Sequence, residues 1–380
     1  MSEQQTKNTL KGPLKILLET YHDKVGKINN SSELFDIYSP WNDSNIEKML
    51  DSFDVALKTD SNTFSWLDIE KDLPKSTDVN INYGLPNHIK GNIDEATLFL
   101  CLVNPNIDKV KIRKSDGDGI CTYYEKAREL NSRDKSLNIV DSSREFIQDR
   151  NFLTKHIVDV SENSSILFNE LEFLQNKLKG NGNNYFKNDA YYFEHYLQQF
   201  IKEFLGKTDT FKVFIENLKE YEWEELEKMS KKIADLEAFP FRSENPNFTY
   251  KEGNKETNFT NLLIESDSKV NLLSARVIIW RIVKHLESFQ HKPAFILRRF
   301  NTFWLPTISK VLEQDLNFTK EEINQIINAL DEEYFFTVRK KDYNGQSRNF
   351  GRNFCKNNER ISNSSFKHLV QETLGEYVKK

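Results

Sequence analysis

One short run constrains the fold of this 380-residue chain more than any other feature. Residues Thr97 to Val103 (TLFLCLV) are apolar after the first position, and the run stops abruptly at Asn104-Pro105-Asn106. It lacks the alternation of a half-wet strand, and it is too short for a membrane helix. A segment apolar on both faces reads as a strand inside a parallel sheet, covered by helices above and below. The tripeptide that ends it reads as a loop. That loop leaves the carboxyl end of the strand, where open α/β sheets gather their ligand sites.

Three further segments fit the same sheet. Ile233 to Phe241 (IADLEAFPF) alternates in part and ends at Pro240, followed by the loop 242–246. Ala294 to Leu297 follows Pro293 and runs into Arg298-Arg299, and Tyr334 to Val338 is the fourth. Helical spacing of apolar residues marks 14–18, 46–57, 166–178, 191–205, 272–289, 308–312, 320–330 and 366–377, and 223–232 reads as a charged helix or turn. Ser44 with Glu47 has the pattern of a capping box, and Thr319 precedes Glu321 and Glu322 as a second cap. Strands that alternate with helices predict a three-layer α/β/α fold with a short, mostly parallel four-stranded sheet plus helical insertions. The division expected is a helical extension over 1–90 and an α/β domain over 91–380, with a helical insertion at about 107–232.

Charge and motif content exclude several classes. The net charge is −5, so a nucleic-acid partner would need a local basic face. Such a face stands between residues 339 and 360, where Arg339, Lys340, Lys341, Arg348, Arg352, Lys356 and Arg360 outnumber Asp342 and Glu359, with Tyr343, Phe350 and Phe354 among them. Basic residues interleaved with aromatics suit a backbone groove with stacking platforms, and equally a solvated loop. The three cysteines, Cys101, Cys121 and Cys355, form no CxxC pair and no disulfide framework, which suits a reducing compartment. Without a signal peptide at the N-terminus or an apolar run of membrane length, a cytoplasmic protein with no membrane partner is expected. No HExxH, P-loop, GxGxxG or GxSxG occurs, so no metal and no cofactor are expected. Asp116-Gly117-Asp118-Gly119 lacks the further ligands of a calcium loop and reads as a turn.

Four segments, in order, carry a resemblance. Gly91-Asn92 with Ala96 leads into LFLCLVNPN, ending at Asn106; IADLEAFPFRS spans 233–243; Leu272-Leu273-Ser274 at a helix start is followed by FILRRFNTFW at 295–304; NNERISNSSF spans 357–366. Over roughly residues 90–370 this order resembles a divergent branch of the uracil-DNA glycosylase superfamily. In that branch a hydrophobic strand enters an Asn-Pro or Asp-Pro loop, and a second strand ends in an aromatic-Pro-aromatic-basic-Ser segment. A helix, a strand, an Arg and a Trp follow. Asn106 stands where the branch often has Gly, and 357–366 holds no His-Pro-Ser tripeptide where its second catalytic loop would fall.

The resemblance implies hydrolysis of the N-glycosidic bond of a flipped base in duplex or single-stranded DNA. The base would be uracil or a modified base. The richness in Asn (39 residues), Lys and Ile suits an AT-rich bacterial or phage genome, and with it a role in anti-phage defence. By resemblance Asn104 orients the attacking water, since an amide positions but does not deprotonate. Asp108 is the candidate carboxylate. Pro105 and Asn106 line the base. Glu237, flanked by apolar residues, needs a partner or a function and is a candidate to read the base edge. Phe239 could stack on the base, and Arg242 and Ser243 could contact the substrate or a phosphate. Asn358, Ser362 and Asn363 fall in the last loop. Arg298, Arg299, Arg348, Arg352, Lys356 and Arg360 are the candidate contacts to the DNA backbone. Two rivals stay open: a nucleic-acid-binding protein without catalysis on the same fold, and a metal-dependent nuclease with Asp235 and Glu237 as ligands.

Overall fold

The computed structural model describes residues 12–59, 61, 63–64, 79–81, 84–105, 119–131, 144–179, 190–242, 249–252, 255–258, 266, 268–338, 354–356 and 359–377. The chain opens with helices α1 (Pro13–Lys24), α2 (Ser31–Tyr38) and α3 (Asp43–Lys58), then strands β1 (Ile89–Lys90) and β2 (Leu98–Leu102). Helices α4 (Gly119–Asn131) and α5 (Arg150–Ile157) precede β3 (Val158–Asp159). Four helices follow: α6 (Ile166–Lys179), α7 (Gln198–Leu205, entered through a π-turn at Phe193–Leu197), α8 (Phe211–Glu216) and α9 (Glu220–Ser230). Then come β4 (Ile233–Glu237), α10 (Lys269–Ser288), β5 (Ala294–Leu297), a second π-turn at Phe300–Trp304, α11 (Leu305–Gln314) and α12 (Lys320–Glu333). The chain closes with β6 (Phe335–Val338), β7 (Phe354–Lys356), β8 (Glu359–Arg360) and α13 (Asn363–Leu374).

The strands form one sheet in the order β8-β7-β6-β5-β2-β4-β1-β3. Its centre is the expected set of four parallel strands, β6-β5-β2-β4. The flanks enlarge it to eight. β1 pairs antiparallel with β4, β3 lies parallel to β1, and β7 and β8 continue antiparallel beyond β6. Two-residue ribbons at Thr63–Phe64 with Val79–Asn80, and four-residue ones at Thr249–Glu252 with Lys255–Asn258, stand apart from it.

Alternation along the strands sorts the two layers. On one face Phe99, Cys101, Leu236, Phe295 and Leu297 pack with α1 to α5 and α10 to α12. On the other, Leu98, Leu100, Leu102, Ile233 and Ile296 pack with α6 to α9 and α13. The architecture is therefore three-layer α/β/α. The helices of residues 13–58 share the first core, and the stretch 166–230 forms most of the second layer. Among the described residues no helix is long and apolar enough to cross a membrane.

Local chemistry fixes the ends of these elements. Thr319 Oγ1 accepts the Glu322 amide while Glu322 reaches back to the Thr319 amide, the reciprocal cap expected there. The cap of α3 is Asn42, whose side chain accepts the Asn45 amide at 2.9 Å, so the Ser44–Glu47 pairing does not form. Asn and Ser both cap well, and the helix starts at the earlier of the two. Ser268 caps α10, which begins one turn before Leu272. Gly91 closes β1 at φ 96°, and a Cβ there would lie 2.5 Å from the Ile233 carbonyl oxygen. Only a residue without a side chain lets the two strands come that close.

Candidate functional site

β4 breaks the apolar rule of its own face. Neighbouring β2 presents Leu98, Leu100 and Leu102 to the second layer, whereas β4 presents Ile233, then Asp235 and Glu237. Asp235 is 2% exposed and Glu237 1%. One oxygen of each, Asp235 Oδ1 and Glu237 Oε2, is buried without a hydrogen-bond partner. Burial raises both carboxyls. Asp235 is pushed up to about 8, partly offset by Lys90, and Glu237 is pushed well above the carboxylate range by burial and by Asp235 beside it. A neutral carboxyl donates one hydrogen bond and accepts another.

The register sets Glu237 level with Leu102, and Arg298, one residue past β5, lies level with them on the same face. Arg298 lowers the Glu237 pKa from across the sheet. Its Nη1 donates to Tyr196 Oη at 2.8 Å, and the guanidinium lies 6.0 Å from the ring centre. Tyr196 lies in the π-turn that leads into α7 and Tyr192 immediately precedes it, at a local widening of the helix of the kind that recurs at functional sites. Glu170 of α6 pins this roof by accepting the Tyr192 amide at 2.8 Å and the Phe193 amide at 2.6 Å. The carbonyl of Glu237 accepts from Ser274 Oγ at 2.6 Å, which ties the end of β4 to α10.

The strand ladder runs on past the strands. The Phe239 amide donates to the Val103 carbonyl and the Arg298 amide to the Cys101 carbonyl, both at 2.9 Å. The Asn104-Pro105 turn therefore leaves β2 between the exits of β4 and β5. Asn104 is half-buried, and its Nδ2 donates to the Pro105 carbonyl at 3.1 Å. Arg242 is buried, with Nε donating to the Leu85 carbonyl at 2.9 Å and Nη2 donating to His156 Nε2 at 2.9 Å. Its guanidinium stands 5.6 Å from the Tyr123 ring centre. Since Nε2 accepts, the His156 proton sits on Nδ1. Burial, Arg242 and Lys90 together hold this imidazole neutral.

The structure thus sets Glu237, Arg242 and Arg298 of the expected site within electrostatic reach of one another, with Asn104-Pro105 leaving the strand between β4 and β5. It separates others from them. Phe239 is fully buried, its ring edge-on to Phe303 with centroids 5.7 Å apart, so it packs the core instead of offering a face to a base. Phe241 is fully buried as well. Ser362 is exposed and caps α13 by accepting the Ser365 amide at 3.0 Å, and Asn363 is the first residue of that helix. Both follow β8, which β7, β6 and β5 separate from β2, so they stand three intervening strands away from Asn104. Arg299 is exposed at the start of the second π-turn. Lys356 lies on β7 with Nζ 4.9 Å from the Phe336 ring centre, and Arg360 is on β8. Asn106, Asp108, Ser243, Asn358, Arg348 and Arg352 lie outside the described residues.

Sequence reading missed Lys90, His156, Tyr192 and Tyr196. Lys90 pairs in register with Asp235 from the antiparallel β1, and burial pushes its amine down to about 8. Only the sheet order brings it there, because a two-residue strand has no periodicity to read. Among the described residues no group of three or more His, Cys, Asp or Glu could hold a metal ion. No protein-family model, no curated protein and no solved structure matches the chain.

Proposed function

We propose that the chain is a DNA N-glycosylase that hydrolyses the bond between deoxyribose and a uracil or modified base without a cofactor, and that it works in the cytoplasm. The observation that carries this reading is the convergence of three motif-bearing strand exits on one edge of the sheet. Asn104-Pro105 leaves β2, Phe239 to Arg242 leaves β4, and Arg298 to Trp304 leaves β5, side by side. Ligand sites of open α/β sheets sit at such an edge.

In this reading Asn104 orients a water toward the anomeric carbon, and its amide oxygen faces the positive charge that develops as the base departs. Glu237, kept protonated by burial, donates to the base and strengthens its departure as a leaving group. Arg298 and the exposed Arg299 take the phosphates on either side of the flipped nucleotide. Unusual phage bases are the substrate class that a defence role requires.

The test is release of base from DNA containing uracil, hydroxymethylcytosine or glucosylated cytosine, read as strand cleavage by alkali at abasic sites. Release should persist in EDTA, which separates it from metal-dependent nuclease cleavage. Asn104→Ala should slow it by about 10²-fold or more while DNA binding is kept. Binding with no base released from any of the three would leave only a nucleic-acid-binding role.

A further inference from the structure

At the short edge of the sheet, beyond β4, lies a polar cleft of about 360 Å³. β1 and β3 contribute Lys90 and Asp159 to its wall, α5 contributes Lys155 and His156, and the turn after β3 contributes Asn163. Its volume falls in the range of small-ligand pockets. Three features mark it as built for a ligand. Lys90 Nζ donates to the Lys155 carbonyl, yet among the described residues it makes no ion pair. Asn163 Oδ1 is buried without a hydrogen-bond partner, an acceptor that lacks a donor. His156 has its Nε2 committed to Arg242, which leaves Nδ1–H as a donor.

We infer that this cleft is a second site, in which Lys90 Nζ condenses with the aldehyde carbon of an open-chain sugar. The uncharged amine adds to the carbonyl: a C–N bond forms, and the oxygen takes a proton to give a carbinolamine. Loss of that hydroxyl as water leaves an imine, so amine and aldehyde yield imine and one water. A sugar hydroxyl supplies the donor that Asn163 Oδ1 lacks. The charged and titratable groups acting on Lys90 are Asp159 on β3, Asp235 on β4 and Arg242 beyond it, with Lys155 and His156 on α5 lining the cleft beside it. Burial outweighs the two carboxyls and pushes the amine down to about 8, so an uncharged fraction exists near neutral pH. The aldehyde has two sources, a free sugar or the abasic deoxyribose left in DNA, and the second rests on the base-excision reading. With the second, the protonated imine acidifies C2. Loss of that proton breaks the C3–O bond, and the 3′ phosphate leaves.

The test treats the full chain with cyanoborohydride and either 2-deoxyribose or an oligonucleotide carrying a preformed abasic site. Adducts are then located by peptide mass. Lys90 should be labelled at least ten times more than the exposed Lys58 and Lys212. Lys90→Met should abolish that labelling, and Asn163→Leu should lower it at least fivefold with unchanged circular dichroism. If Lys90→Met does not fold, Lys90→Arg serves in its place. Labelling by the sugar alone identifies a free sugar as the ligand. A DNA adduct with strand cleavage at the site identifies the abasic product. Labelling spread evenly over lysines in both arms overturns the proposal. Since the abasic site is preformed, the result does not depend on base release, which is measured separately on uracil-containing DNA.

Discussion

A carboxyl standing where the neighbouring strand carries leucine has to stay neutral or find a cation, and Asp235 shows the first outcome. Its pKa is raised to about 8 when folded, so the folded chain holds a proton that the unfolded chain releases near pH 4. Stability therefore falls as pH rises from about 4 to about 8, because the native state binds more protons over that window. Lys90 has the opposite sign. Its amine is pushed down to about 8, so the unfolded chain binds the extra proton above that pH, and stability recovers toward the ordinary lysine range. Urea unfolding across this range should trace a shallow minimum near pH 8. Asp235→Asn should make the acid arm less steep, the rest of it coming from Glu170 and Glu237, which burial also raises, and Lys90→Met should flatten the alkaline arm. Unchanged acid arms in Asp235→Asn would show that the carboxyl is ionised in the fold. Glu237 was legible in the sequence as a charge among apolar residues, but its neighbours were not. Tyr192, Tyr196 and Arg298 reach it from segments far apart in the chain, and no local spacing records that meeting.

At the scale of elements, the strands that could be read were those with short apolar-rich runs. β2, β4 and β5 are buried on both faces; in β2 and β5 that burial writes itself into the sequence as an unbroken hydrophobic stretch, while β4 keeps Asp235 and Glu237 among its apolar residues. β1, β3 and β8 have two residues each, too few to show a period, so their place in the sheet comes from pairing alone. The cap of α3 slipped for a related reason, since Asn42 and Ser44 are both competent acceptors and the choice depends on where the helix starts. Gly91 shows how one residue joins two elements. It sits where β1 meets the start of β4, at a positive φ and with the Ala234 Cα 2.9 Å from where a Cβ would be. Gly91→Ala should cost about 2 kcal/mol or more, from the strained φ and the forced separation of the strands. The midpoint of thermal unfolding measures it, and a loss below 0.5 kcal/mol, taken as roughly the noise of a surface substitution, would mean that β1 moves away without penalty.

For the whole molecule the question is how a chain of net charge −5 would hold a polyanion. Overall charge works against encounter, so attraction must come from cations placed where the acids are not. The described structure sets Arg298 and Arg299 at the exit of β5 and Lys356 two strands further along the sheet. The densest cationic segment, 339–360, begins where β6 ends, and β6 is the neighbour of β5. If DNA binds as proposed, a phosphate path from β5 toward that edge starts one strand away from the exit of β2, where Asn104 lies. Each phosphate neutralised on duplex DNA contributes roughly 0.9 to the slope of log K against log salt. Arg348→Ala with Arg352→Ala should therefore reduce that slope by about 2, weaken binding alike for uracil-containing and ordinary duplexes, and leave thermal stability unchanged. Arg298→Ala should act differently, because its guanidinium also holds Tyr196 and lowers the Glu237 pKa. It should lower base release more than it lowers binding. Equal losses in both measurements would reduce Arg298 to one more phosphate contact. A slope that ignores the double substitution would move the DNA path away from this edge of the sheet.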